Sequence, residues 1–366
     1  MRLALVVPGG VDRSGTHRVI PCILWLMERV AREHDLHVFA LTQEERPGSW
    51  ELLGARVHNI GGGRGMRTRA VATLLREHRR APFDIFAAQW AAPGAIAAAA
   101  GALTRRPVTT HLPGGDLASV PEAEYGRLLS RRGRLALKAT AALTTRVTVP
   151  SAPLVEAAAR LGIRAERLPM GVSTAAWPPR APRRREAGGE ARLLFVGNLN
   201  RVKDPWTLVR AMRRLRESGE RFRLDVVGLD TLGGEIQRLA ADLGLAEVVH
   251  FHGFLPQAET RAWVERAHLL LLTSRWEGGP IVALEAAATG VPTVGTHVGH
   301  LAEWSPTAAR TVSPGDEEAL AAAVRSVLAD EDGRLAMAEE AQRRALAEDA
   351  DWTAARWMEM VTRMAG

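Results

Sequence analysis

Short apolar runs and longer helix-like runs alternate from one end of this chain to the other. Residues 2–7, 36–41, 56–60, 83–87, 107–111, 147–150 and 166–169 read as strands, and 16–33, 67–79, 121–140 and 153–161 as helices. A chain with that rhythm folds into parallel α/β sheets, each strand handed to the next by a crossover helix. The rhythm breaks at 178–190, where Pro178, Pro179, Pro182, Arg183 to Arg185, Gly188 and Gly189 read as a polar linker. A second series begins at 192–196, with later strands at 223–227, 248–251, 268–272 and 293–295 and helices at 205–217 and 233–243. Helices near 316–329, 333–347 and 352–364 close the chain. The expected fold class is α/β, with two doubly wound Rossmann-like domains facing a central cleft. The first covers 1–177, the linker 178–191 and the second 192–351, as a length of 366 residues allows.

Composition removes several function classes. The net charge is +7, but nearly all cations are arginine and only Lys138 and Lys203 are lysine. No basic–aromatic interleaving accompanies them, so no nucleic-acid partner is expected. Lone Cys22 excludes an intrachain disulfide and points to a reducing, cytoplasmic setting, as a buried structural thiol. No apolar run reaches membrane-spanning length, and the short run at 3–7 ends at Pro8-Gly9-Gly10 as a first strand would. Residues 127–138 are basic and amphipathic. A solvated helix face is the favoured reading, and a peripheral contact with the inner face of a membrane the lesser one.

The densest chemistry lies at 273–286, where the apolar run 269–272 leads through Glu277-Gly278-Gly279-Pro280 into a helix. Gly278 and Gly279 allow a tight turn and close ligand approach. Pro280 suits a first helical position. The N–H groups of Ile281 and Val282 then lack intrahelical acceptors and suit an anion such as a diphosphate. Glu285 lies one turn on, on the same face as Ile281, where its carboxylate suits a ribose diol. At 195–204, a strand and glycine turn present two cations, Arg201 and Lys203, before another helix. His111 ends a strand and precedes Gly114, Gly115 and Asp116. No Asp-x-Asp metal motif lies in a suitable loop, and no His/Cys cluster with ligand spacing, no Gly-x-Ser-x-Gly elbow and no Walker loop is present, so neither metal nor resident cofactor is expected.

The string from Glu277 to Glu285, followed by Gly290-Val291-Pro292, resembles the E-x7-E signature of retaining glycosyltransferases with the GT-B fold, family 4. The resemblance is strong from 192 to 303 and looser before 169. It implies a retaining, metal-independent transferase moving a sugar from a nucleotide diphosphate sugar to a hydroxyl acceptor: a glycan, a lipid-linked molecule or a small molecule. It implies catalytic roles for His111 and Glu277. It places the donor against Gly10, Arg201, Lys203, Gly228, Phe254, Leu255, the 278–282 loop and Glu285. It makes His300, where the family has glycine, and Asp116 candidates for specificity. It also implies that the last helix packs back onto the first domain. Two other readings fit the same architecture: a sugar-nucleotide epimerase, and an inactive relative serving as a partner subunit.

Overall fold

The computed structural model describes residues 1–186 and 188–366, so Ala187, inside the expected linker, lies outside the described residues. The chain divides into two compact units. The first holds Met1–Ser119, Gly126–Gly171 and Ala350–Gly366, and the second Val120–Tyr125 and Val172–Asp349.

The first unit is built on β1 (Arg2–Val7), β2 (Asp35–Ala40), β3 (Gly48–Leu52), β4 (Ala55–Asn59), β5 (Ile85–Gln89), β6 (Val108–His111), β7 (Arg146–Val149) and β8 (Ala165–Arg167). They lie in the order β3-β4-β2-β1-β5-β6-β7-β8. The sheet is parallel apart from β3, which folds back on β4 as a hairpin. Leu53 and Gly54 form its turn with φ of 51° and 80°, the conformation a two-residue hairpin needs. Apolar runs do not announce β3, because only Leu52 of it is buried.

Two helices differ from expectation. The helix expected at 16–33 runs from Pro21 to Ala31, because Val11 bridges Val19 across a loop and Pro21 can enter only at a helix start. The helix expected at 121–140 is two 3-10 turns, Pro121–Ala123 and Arg127–Leu129, followed by a helix at Arg131–Ala142. Ser130 caps that helix by accepting from the Gly133 N–H. Cys22 is half-buried rather than buried.

The closing helix, Ala350–Ala365, belongs to the first unit. Buried Thr353 donates to the Pro169 carbonyl at 2.9 Å and accepts from the Gly171 N–H at 2.9 Å. Arg29 reaches Asp351 at 2.7 Å.

The second unit contains β9 (Ala191–Val196), β10 (Phe222–Val227), β11 (Val249–Gly253), β12 (Leu269–Leu272), β13 (Thr293–Thr296) and β14 (Ala309–Val312). All pairings are parallel, in the order β11-β10-β9-β12-β13-β14. The helix Pro205–Glu217 buries Leu208, Val209, Ala211, Met212 and Leu215, the stripe a 3.6-residue period selects. Each of the larger ones, Leu208, Val209, Met212 and Leu215, contributes about 1.5–3 kcal/mol by leaving water. Residues 183–185 of the expected linker lie along this unit. Buried Arg334 donates to the Arg183 carbonyl at 2.6 Å and the His268 carbonyl at 3.1 Å, and the Arg185 N–H donates to Glu331 at 2.6 Å. Among the described residues, no helix is long and apolar enough to cross a membrane.

Candidate active site

Strand order decides where a ligand can sit in the second unit. β9 and β12 are neighbours, but the chain winds away from them in opposite directions. Loops leaving their carboxyl ends therefore diverge to opposite faces and open a crevice. The loop after β9 carries Arg201 and Lys203, and the loop after β12 carries Glu277 to Pro280.

These two loops are fastened to each other. The Thr273 hydroxyl donates to the Lys203 carbonyl at 2.7 Å, and the Arg275 N–H donates to the Val202 carbonyl at 2.7 Å. The Arg275 guanidinium pairs with buried Asp204 at 2.6 Å. Arg201–Lys203 is a 3-10 turn, begun by Asn200, whose side chain accepts from the Lys203 N–H. That scaffold aims Lys203 Nζ at Glu277 Oε1, 2.5 Å away. The Ser274 hydroxyl donates to the same oxygen at 2.6 Å. Arg201 points elsewhere, 3.5 Å from Glu124, with its side chain largely in solvent. With Arg275 taken up by Asp204, Lys203 is thus the cation held against Glu277.

The helix after the glycine loop runs from Ile281 to Ala288. Pro280 stands at its cap with ψ of 105°, one position earlier than expected, so Ile281 is the first helical residue. The amides of Ile281 and Val282 fall in the first turn, where helix geometry supplies no acceptor. Backbones approach closely around this loop. Gly299 has φ of 52°, and a Cβ there would sit 2.9 Å from the Gly278 carbonyl. Gly228, after β10, has φ of 152°, and a Cβ there would sit 1.9 Å from the Gly197 carbonyl. The Gly228 N–H donates to the Gly253 carbonyl, so the ends of β10 and β11 are tied. Leu229 and Phe254 follow them, 52% and 57% exposed, and Leu255 is half-buried. They leave apolar surface open at the carboxyl ends of β10 and β11.

Glu285 is 7% exposed. Burial pushes its carboxyl up to about 7, against the pull of a hydrogen bond from Gln257 at 3.4 Å. An acid raised in the folded state holds its proton below that value and is destabilising once ionised. Stability therefore falls as pH rises from about 4.5 to about 7 and stays lower above it. Glu285→Gln removes this dependence. We expect it to melt above the wild type at pH 8 by on the order of 2 kcal/mol of stability, with the gap closing by pH 5. Parallel pH curves for the two proteins would contradict that expectation.

His300 lies in the helix Gly299–Trp304, buried, with its ring 4.8 Å from that of Trp304. In the first unit, His111 ends β6 and is 3% exposed. Its Nδ1 lies 3.0 Å from the Thr148 hydroxyl, and its buried Nε2 has no hydrogen-bond partner among the described residues. Burial lowers its pKa to about 4, so the ring is neutral at pH 7. Asp116 accepts from the Ala91 N–H at 3.0 Å and from Arg127 at 2.7 Å, bracing the start of the helix Ala91–Thr104. Gly10 has φ of 82°, and its N–H is bound to Gln43 Oε1 at 2.6 Å.

Sequence reasoning named neither Asn200, Gln43, Gln257 nor Thr148 as site residues. Thr148 meets His111 only through the β6–β7 register, which pairs those two positions. Ser274 is different. It stands three residues before Glu277, and a hydroxyl at that spacing from a loop carboxylate was a usable signal.

Comparison with known proteins follows the same division of the chain. Residues 26–176 match the family "Glycosyltransferase Family 4", and residues 181–344 match "Glycosyl transferases group 1". A glycogen synthase from Mycobacterium tuberculosis (strain ATCC 25618 / H37Rv) is 36% identical over 184 residues, 50% of this chain and 44% of that protein. A D-inositol 3-phosphate glycosyltransferase from Pseudarthrobacter chlorophenolicus is 35% identical over 147 residues, 38% of this chain and 35% of that protein. The chain thus spans less than half the length of these curated relatives. Sucrose-phosphate synthase from Thermosynechococcus elongatus superimposes with a TM-score of 0.83 at 19% identity, covering 100% of this chain and 99% of that one. Anabaena Alr3699/HepE in complex with UDP-glucose does so with a TM-score of 0.74 at 17% identity, covering 99% and 100%. At such identities the likeness establishes the fold, which is GT-B.

Proposed function

Because this chain belongs to the GT-B glycosyltransferases of family 4 and group 1, we propose that it moves a sugar from a nucleoside diphosphate sugar to a hydroxyl acceptor with retention at the anomeric carbon. One observation carries the reading. Lys203, Glu277 and Ser274 converge within hydrogen-bond distance at the switch point between β9 and β12. A cation paired with a carboxylate beside a helix start can part from it to admit a phosphate on one side and sugar hydroxyls on the other.

In this reading the bond between the anomeric carbon and the diphosphate oxygen breaks first. The departing charge is taken up by Lys203, by the amides of Ile281 and Val282, and by Arg201 once it swings from Glu124. The acceptor oxygen bonds to the anomeric carbon from the face the diphosphate left, and its proton passes to a diphosphate oxygen. Glu277, released from Lys203, accepts from sugar hydroxyls, and Glu285 from the ribose. Neutral His111, in the first unit, can donate from Nε2 when Thr148 donates to Nδ1. No residue serves as a covalent nucleophile and no metal takes part.

A thermal-shift panel of nucleotide sugars tests the reading. One nucleotide sugar should raise the melting temperature well above the effect of its nucleoside monophosphate. UDP-glucose, bound by one of the structural neighbours, is the first to try. With that donor and an acceptor panel, the product should keep the donor's anomeric configuration by NMR, and a chelator should leave the rate unchanged. If the donor were epimerised without any acceptor, or no nucleotide sugar bound at all, the proposal would fail.

A further inference from the structure

A second group of chemically able side chains lies in the first unit, away from every residue given a role above. His37 is on β2, His58 on β4, and Glu77 on the helix Met66–Arg80. One ligand atom from each lies within 4.8 Å of the other two. His37 Nδ1 and His58 Nε2 are 2.9 Å apart. No sequence spacing marks this group, because it forms only when two strands and a helix pack together.

We propose that His37, His58 and Glu77 bind a divalent transition-metal ion of the zinc type, clipping the helix to β2 and β4. Two imidazoles and one carboxylate are a donor set that zinc accepts, at about 2.0–2.2 Å per bond, with a fourth position left for water. Ligand nitrogens around such an ion stand about 3.3 Å apart, a length fixed by those bonds and a tetrahedral angle. The two histidines need to part by only a few tenths of an ångström.

The rings are already held. His58 stacks on Phe39 at 4.7 Å between centroids, and His37 meets Phe83 edge-on at 5.3 Å. Without the ion, Arg2 donates to His37 Nε2 at 3.1 Å, which leaves the proton on Nδ1 facing His58. Metal binding moves that proton from Nδ1 to Nε2, where Asp35 Oδ1 waits 3.2 Å away. A carboxylate behind a ligand histidine is the arrangement that fixes its tautomer and raises its basicity. No net proton leaves the ring.

The surroundings are not all favourable. Arg80 and Arg76 touch Glu77 at 2.9 and 3.5 Å, and Arg56 and Arg2 lie near the rings. Arg2 is balanced by Asp35, with which it pairs at 2.8 Å. Arg76 and Arg80 have side chains 60% and 67% exposed, so both can turn to water when the ion takes Glu77. Imidazole ligands favour zinc, nickel or copper over magnesium or calcium.

The test uses the full chain, free of any histidine tag and stripped with a chelator. One equivalent of zinc should raise the melting temperature by several degrees and saturate at one ion per chain. Magnesium should do nothing. Cobalt(II) should give the intense visible absorption of a four-coordinate site. His58→Gln and Glu77→Gln should each lose the zinc shift and the cobalt spectrum; the second keeps both rings if the first folds poorly. A stripped protein that melts at the same temperature with and without zinc would overturn the proposal. So would zinc binding that survives in both variants, since the ion would then sit elsewhere.

Discussion

On the proposed reading, Lys203→Ala should lower kcat/KM for sugar transfer by about 10²–10³-fold, the loss seen when one preorganised group facing a developing charge is removed. The magnitude follows from scarcity. Arg201 turns toward Glu124 and Arg275 is paired with Asp204, so Lys203 is the cation that faces Glu277. Its ammonium is positioned from both ends: Asn200 fixes the N–H and Thr273 fixes the carbonyl of the same residue. On the proposed reading, a diphosphate arriving there replaces Glu277 as its partner. The Glu277 carboxylate stays beside Ser274, so the variant meets the donor with an unbalanced negative charge as well as a missing positive one. Lys203→Arg should recover only part of the activity, because a planar guanidinium does not fit where a compact ammonium sits. Steady-state kinetics decide the matter. A Lys203→Ala enzyme within threefold of wild type would remove this residue from the mechanism.

Gly228→Ala destabilises the second unit by about 3 kcal/mol or more, by overpacking and backbone strain together. The added carbon would fall 1.9 Å from the Gly197 carbonyl oxygen, and neither atom belongs to a side chain that can swing aside. Gly197 begins the turn that leads to Lys203, so relief of the clash displaces the cation too. Gly219→Ala is the control. Gly219 also has positive φ, 84°, but nothing lies within 4 Å of its missing carbon. Its cost should stay near the 1–2 kcal/mol of the left-handed conformation alone. Denaturant unfolding followed by tryptophan fluorescence separates the two. Equal midpoints would show that the close approach at Gly228 is dispensable.

How much of this was legible in the sequence depends on the kind of signal. Leu269 to Leu272 is an unbroken apolar run because β12 is buried on both faces, and such runs mark central parallel strands. β3 alternates Trp50 and Leu52 with Ser49 and Glu51 on the outer edge of its sheet, and leaves no run to find. Pro280 marked a helix start, whereas Pro21, which begins its helix, fell inside the expected helix 16–33. Pro280 proved to be the cap itself, a shift of one residue that local rules do not resolve.

The candidate site divides the same way. Glu277, Lys203 and the glycine loop announce themselves through residue type and spacing. Their mutual distances come from strand order, which brings the ends of β9 and β12 together although 72 residues separate Glu277's loop, at Thr273, from Arg201's. Thr148 behind His111, and the meeting of His37, His58 and Glu77, are products of register and packing. No local pattern carries them.

A crystal structure of the second unit's crevice occupied by a nucleoside diphosphate tests the central claim most directly. The diphosphate should lie within hydrogen-bond distance of Lys203 Nζ and the Ile281 and Val282 amides, with Glu277 parted from Lys203. A diphosphate bound away from those groups, with the Lys203–Glu277 pair intact, would contradict it.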